Sequence, residues 1–306
     1  KEKKMQVNTT RTMAAVQEKA ADSPMKNRRD LSFSHFSRRY RSKLANSDAF
    51  YVRFNTDAGL AAVSFFDGSL QIISTMLGDR LYQIHDDEMV MPVTSLAWKP
   101  SRDESTDSQK LLGACLNGSI IRWTANHSNT VEHISLNDEQ MYHAIDFSGD
   151  TRRFCVAGTQ PYIEIYDEDR MQRVQQIGDR VNPAHSNKIF TCKFNPQAPN
   201  MLVSGSWDKQ VRFWDVRANR LNISIGGKTS ICGDGVDVSY CNNYAVTGGG
   251  TLGEGVQIWD LRRLEKPVKK MVWSIAYNGD IINPIVNSVK FIPRQNLVMA
   301  GCSDDQ

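Results

Sequence analysis

The chain has 306 residues, 40% of them apolar, and a formal net charge of +3. That is enough for a sizeable core. No run approaches the 18 apolar residues of a membrane helix, and the charged start from Lys1 to Lys4 has no apolar stretch behind it, so it does not read as a secretory signal.

The charge is unevenly placed. Residues 1–45 hold twelve Lys or Arg against four Asp or Glu, a net of +8, which leaves the remainder at −5. In this segment Lys26, Arg28 and Arg29 are followed by Arg38, Arg39, Arg41 and Lys43, set around Phe33, Phe36 and Tyr40. Basic residues mixed with aromatics suit an acidic partner: a protein surface such as tubulin, nucleic acid, or anionic lipid. Residues 10–21 carry a short helical pattern with Met13, Val16 and Ala20 on one face. Residues 31–36 alternate like a strand. Residues 1–45 therefore read as a basic, largely irregular extension ahead of a domain at 46–306.

From residue 46 one pattern repeats. A first strand reads Val52-Arg53-Phe54, Leu96-Ala97-Trp98, Ile145-Asp146-Phe147, Cys192-Lys193-Phe194, Val236-Asp237-Val238 and Val289-Lys290-Phe291. A second is rich in small residues: Leu60 to Ser64, Leu111 to Cys115, Phe154 to Gly158, Met201 to Gly205 and Tyr244 to Gly248. A third closes on an aromatic in its best copies: Leu70 to Ser74, Ile120 to Thr124, Ile163 to Asp167, Val211 to Asp215 and Val256 to Asp260. The fourth residues of these third strands are 50, 43, 48 and 45 apart. A looser fourth strand follows, such as Arg80 to Ile84. Asp67-Gly68, Asn117-Gly118 and Gly149-Asp150 supply turns. Strand and turn at this spacing predict antiparallel meanders, and a period in the forties predicts an all-β propeller built of four-stranded blades. Phe54, Trp98, Phe147, Phe194 and Phe291 share one blade position and are expected to be buried between sheets.

Residues 185–225 carry Ala184-His185, then Ser204-Gly205-Ser206-Trp207-Asp208, then Trp214-Asp215. This stretch resembles a WD40 repeat, and the resemblance extends over about residues 48–306. It implies a buried hydrogen-bond chain from Asp208 to His185 to Ser204 to Trp214. It also implies a ring of seven blades, of which this chain supplies five and the first two strands of a sixth, cut in mid-blade at Gln306. Other blades depart from the pattern: Tyr166 replaces the tryptophan, and most lack the histidine.

Signals for chemistry are weak. Gly226-Gly227-Lys228-Thr229 resembles the end of a phosphate loop. However, Asn222 stands where the first glycine belongs, and the following Ser230 to Gly233 leads into a strand and not a helix. Gly248 to Gly255 is glycine-rich but precedes a strand, so it reads as a long hairpin. His127, His133 and His143 lack ligand spacing. No catalytic residue, cofactor or metal is expected. The cysteines at 115, 155, 192, 232, 241 and 302 show no Cys-x-x-Cys pairing, which reads as reduced thiols of a cytosolic or nuclear compartment.

The expected function is a non-catalytic scaffold in a multiprotein assembly, binding proteins through the propeller faces and the basic extension. The setting is cytoplasmic and, from the charge of the extension, cytoskeletal or ciliary, with the nucleus as the alternative. Two further readings stand beside it. Trp214-Asp215-Val216-Arg217 and Trp259-Asp260-Leu261-Arg262 resemble the WDxR boxes of cullin-4 substrate receptors, which makes Arg217 and Arg262 candidate contacts. The other is a nucleic-acid- or chromatin-associated adaptor, with protein preferred over nucleic acid as the partner.

Overall fold

The computed structural model describes residues 47–84, 91–100, 109–124, 130–135, 139–218, 220–226, 230–240, 243–251, 254–272, 275–277, 280–282, 284–292 and 297–303. The chain parts into Lys1–Arg41 and Ser42–Gln306. The described residues all lie in the second part. The basic extension, with Arg28, Arg29, Arg38, Arg39, Arg41 and Lys43, lies outside them, as do the helical pattern at 10–21, the strand pattern at 31–36, Lys228, and residues 304–306.

Five four-stranded antiparallel sheets follow one another as meanders. The first holds β1 (Ala49–Phe54), β2 (Leu60–Phe65), β3 (Leu70–Ser74) and β4 (Arg80–Ile84). The second holds β5 (Val93–Trp98), β6 (Lys110–Cys115), β7 (Ser119–Thr124) and β8 (Thr130–Ser135). The third holds β9 (Tyr142–Phe147), β10 (Arg153–Gly158), β11 (Ile163–Asp167) and β12 (Gln172–Ile177). The fourth holds β13 (Ile189–Asn195), β14 (Ala198–Ser206), β15 (Gln210–Asp215) and β16 (Arg220–Gly226). The fifth holds β17 (Val236–Val238), β18 (Tyr244–Gly248), β19 (Val256–Asp260) and β20 (Lys269–Met271). Two hairpins come after them: β21 (Ile275–Tyr277) with β22 (Asp280–Ile282), and β23 (Ile285–Phe291) with β24 (Val298–Ser303). The first of these hairpins has no counterpart in the repeat read from the sequence.

Each first strand packs against the first strand of the next sheet: β1 on β5, β5 on β9, β9 on β13, β13 on β17 and β17 on β23. The first strands therefore line a common axis and the fourth strands lie outermost. Burial follows from this. In β2, β6 and β10 every residue after the first is buried, and the sheets of β6 and β10 each have a neighbouring sheet on both sides. That explains why these strands are rich in small residues. The outermost β4 is exposed up to Ile84.

Burial departs from expectation at two of the five repeated aromatics. Trp98, Phe147 and Phe194 are buried. Phe54 is 57% exposed and Phe291 is half-buried. The repeat position sets which way a side chain points, but burial also needs a sheet on that side. Phe50, Val52 and Phe66 are exposed beside Phe54, and Phe50 packs edge-on against Phe66 with ring centroids 4.9 Å apart.

The turns between second and third strands share one device. Asp67, Asn117 and Asp208 each accept a backbone N–H two residues on, from Ser69 (3.0 Å), Ser119 (3.2 Å) and Gln210 (3.0 Å). The residue between is left-handed: Gly68 at φ 83°, Gly118 at φ 81°, but Lys209 at φ 65°. A side chain in that region costs roughly 1–2 kcal/mol, partly offset by the greater freedom of an unfolded glycine. Lys209→Gly should therefore stabilise the protein by about 0.5–1 kcal/mol, read as a higher urea midpoint. The fifth sheet replaces the tight turn with a long glycine hairpin, in which Gly248 pairs with Val256 and Gly249 N–H bonds Gly255 O at 2.8 Å.

Candidate interaction surfaces of the propeller

In the fourth sheet a polar chain runs inward from the turn. His185 Nδ1 donates to Asp208 Oδ2 at 2.8 Å, which leaves Nε2 to accept from the Ser204 hydroxyl at 2.7 Å. Ser204 Oγ in turn accepts the Trp214 indole N–H at 2.8 Å. His185, Ser204 and Trp214 are buried. Burial holds His185 below its ordinary pKa although Asp208 pulls the other way. Burial alone would raise Asp208, but the bond from His185 and the N–H groups of Ser186 and Gln210 hold it below the usual carboxylate range. The group is thus a neutral ring on an ionised carboxylate, with each atom satisfied.

Other sheets vary this chain according to their residues. The fifth keeps its inner end, where Trp259 Nε1 donates to Thr247 at 3.0 Å. In the second, register places Gly113 where Ser204 stands, and Trp123 Nε1 is buried without a partner. The third substitutes a different network. Glu164 is fully buried, accepting from Tyr142 Oη at 2.8 Å and Arg173 Nη1 at 2.7 Å. Burial and the neighbouring Glu164 push the Tyr166 phenol up to about 12.

The axis carries charge that follows one column of the repeat. The residue before the repeated aromatic, or before Val238 at that place in the fifth sheet, is Arg53, Ala97, Asp146, Lys193, Asp237 and Lys290 in successive repeats. Arg53 Nη2 lies 3.7 Å from Asp146, and Lys193 Nζ lies 3.9 Å from it. Asp234, just ahead of β17, gathers four groups: Tyr51 Oη at 2.6 Å, Lys290 Nζ at 2.6 Å, Lys193 Nζ at 3.3 Å and Arg53 Nη1 at 3.9 Å. Burial would raise the Asp234 carboxyl, yet Lys193, Lys290 and Arg53 together hold it far below the usual range. Burial also raises Asp146 despite Lys193 and Arg53. Burial and Asp234 push Tyr51 up to about 12. Asp146 and Asp237 further tie neighbouring sheets by accepting the backbone N–H of Phe194 (3.0 Å) and Phe291 (2.8 Å).

At one end of this axis the first strands bulge at an equivalent place. The skipped residues are Phe50, Thr94, His143, Phe190 and Asn287. A bulge re-aims one side chain out of the ladder. Two of these stack: His143 on Phe190, with centroids 4.7 Å apart and planes 5° apart. Phe190 then stacks on Trp207 at 4.8 Å, and Lys188 Nζ lies 5.6 Å from the Trp207 ring on this rim. Burial, then Lys188, lowers His143 to about 4, so it is an uncharged ring at neutral pH.

Arg217 and Arg262 lie past the ends of third strands, and so at the opposite end of the meander from the turn holding Trp207. Each forks onto the aspartate two residues before it. Arg217 Nε and Nη2 reach Asp215 at 3.1 and 2.9 Å, and Arg262 reaches Asp260 at 2.9 and 2.8 Å. The two arginine side chains remain 71% and 64% exposed.

Among the described residues no group of three His, Cys, Asp or Glu could hold a metal. Cys155 and Cys192 are buried with their sulfurs 3.3 Å apart.

Residues 179–215 match the family model described as WD domain, G-beta repeat. The chain superposes on the solved structure titled "Structure of U3-55K" with a TM-score of 0.71 at 14% identity, covering 85% of this chain and 76% of that one. The chain is a WD40-repeat β-propeller. Over 259 residues it is 26% identical to the serine-threonine kinase receptor-associated protein of Dictyostelium discoideum, covering 84% of this chain and 78% of the relative. Over 277 residues it is 24% identical to the guanine nucleotide-binding protein subunit beta of Zea mays, covering 87% of this chain and 64% of that protein. A WD40 propeller of this kind is in general an interaction scaffold.

Proposed function

We propose that this WD40 chain is a non-catalytic scaffold that holds different partner proteins on its two loop faces within one assembly. The observation that carries the reading is the pair Arg217 and Arg262. Consecutive blades present the same exposed guanidinium in the same fixed fork, on the face opposite the aromatic stack. A pre-ordered planar cation loses little freedom on docking and suits a carboxylate or carbonyl surface. The basic residues at 1–45 would add an electrostatic contact to an acidic partner such as tubulin, which favours a cytoskeletal setting.

A second reading has its own observation. The same two arginines stand in WDxR order, so an adaptor of a cullin-4 ligase is the alternative partner. Because Asp215 and Asp260 already occupy one edge of each guanidinium, such an adaptor would meet only the outer edge.

Affinity capture with mass spectrometry separates the readings. Tubulin or another cytoskeletal assembly supports the scaffold, while adaptor plus cullin supports the ligase. The variant Arg217→Glu with Arg262→Glu should lose one captured partner and keep the same melt, because exposed ion pairs add about 0–1 kcal/mol to folding. Retention of every partner would remove these arginines from the interface.

A further inference from the structure

We propose that Trp207, Phe190 and Lys188 form the anchoring site for an acidic peptide segment of a partner protein, at the axial end opposite Arg217 and Arg262. The proposal rests on the scaffold reading and assigns a partner chemistry to its second face. Trp207 is 42% exposed, whereas Trp98, Trp123, Trp214 and Trp259 are buried. A large indole on a surface turn is not needed for the core. It is nonetheless held in place, with Phe190 stacked on it and its Nε1 donating to Cys232 Sγ at 3.1 Å. Rings fixed before binding lose little entropy on docking, which is what makes aromatic anchors effective.

Charge selects the partner. From Ser186 to Gln210 the only acid is Asp208. Its carboxylate is taken up by His185, Ser186 N–H and Gln210 N–H. Of the charges in this segment, those shown to solvent are Lys188 and Lys209, and the exposed Glu139 at the same end is paired with Arg180. His143, at the far end of the stack, is uncharged at neutral pH. The surface is therefore apolar and cationic, and complementary to a carboxylate placed next to an apolar side chain.

The same geometry disfavours single-stranded nucleic acid, whose affinity comes from bases lying flat on open aromatic faces. Phe190 stacks on Trp207 and the Lys188 ammonium sits over its ring. A partner side chain can still pack against the indole edge.

The test uses the full chain and defined probes. The probes are a panel of 12-residue peptides in which two glutamates flank Leu, Phe, Tyr or Pro, their lysine counterparts, and a 12-nucleotide single strand. Binding is read by anisotropy of the labelled probe and by tryptophan emission, with Trp207→Phe as the reference. At least one acidic peptide should bind roughly tenfold more tightly than its lysine counterpart, and should shift an emission component that Trp207→Phe lacks. Lys188→Glu lies on an exposed loop and should keep the melt while inverting the preference between the paired peptides. Equal binding of acidic and basic peptides, unchanged affinity in both variants, or a preference for the oligonucleotide would each overturn the proposal. Capture through Arg217 and Arg262 is scored on the same protein. If that capture persists while every peptide fails, the aromatic site falls and the scaffold reading stands.

Discussion

Asp234→Ala should cost the propeller about 3–5 kcal/mol, the usual penalty for removing one partner of a buried ion group. Asp234 is the common counter-charge for Lys193, Lys290 and Arg53, and it also accepts from Tyr51. These groups come from the first and fourth sheets and from the hairpin β23–β24. Without Asp234 three cations remain near the axis facing Asp146 and Asp237, and the Tyr51 hydroxyl loses its acceptor. Urea unfolding at pH 7 should show a lower midpoint with an unchanged slope. The loss should change little with added salt, because screening acts mainly on exposed charges. The sign of the pH dependence follows from the depressed folded pKa. Above the unfolded value of about 4 the contribution is fully present, and it is lost only as pH falls through the folded value, far into acid. The wild type and the variant should therefore keep a constant difference from pH 7 down to about pH 5. A loss below about 1 kcal/mol would mean that the axial charges behave as a solvated surface group.

The sequence exposes the architecture more readily than the axis. The repeated third strands mark five sheets, three of them by a closing aromatic-Asp pair, because each copy meets the same local demand of a buried strand inside a meander. Glu164 shows the limit of reading alternation. In Ile163-Glu164-Ile165 it falls where a solvent-facing residue belongs, yet it is fully buried, and Tyr142 from β9 and Arg173 from β12 both reach it. The axial charges were visible as one column of the repeat, running Arg53, Ala97, Asp146, Lys193, Asp237 and Lys290. Each alone reads as an ordinary strand charge. Only the closure of first strand upon first strand turns the column into a cluster, and Asp234, its centre, lies outside the repeated phrase. The stack of His143, Phe190 and Trp207 escaped for the same reason: its members sit in two sheets, and two of them occupy bulges that a period-2 reading cannot place. Phe54 and Phe291 err the other way, since the repeat fixes direction but not what packs alongside.

In the fourth sheet, His185→Ala and Asp208→Ala should each destabilise by about 1–3 kcal/mol, because each leaves a buried partner unsatisfied. The double variant should cost less than the two losses together, with a coupling of about 0.5–3 kcal/mol, since either change breaks the same chain. The pH profile distinguishes this from a packing defect. Burial holds folded His185 below its ordinary value. As pH falls through about 6.5 the unfolded chain takes up the proton first, so stability declines from there downward. Asp208 is also depressed in the fold. Its contribution is present above about pH 4 and disappears as pH falls through the folded value. The wild type should therefore lose stability in two acid steps. His185→Ala should abolish the upper one and shrink the lower, because Asp208 loses its strongest donor. Denaturant titrations at about pH 7.5, 6, 5 and 3 on the four proteins provide the measurement. Strict additivity together with identical slopes in all four would show that His185 and Asp208 act as separate core residues, and the Ser204–Trp214 bond would then stand without support from the turn.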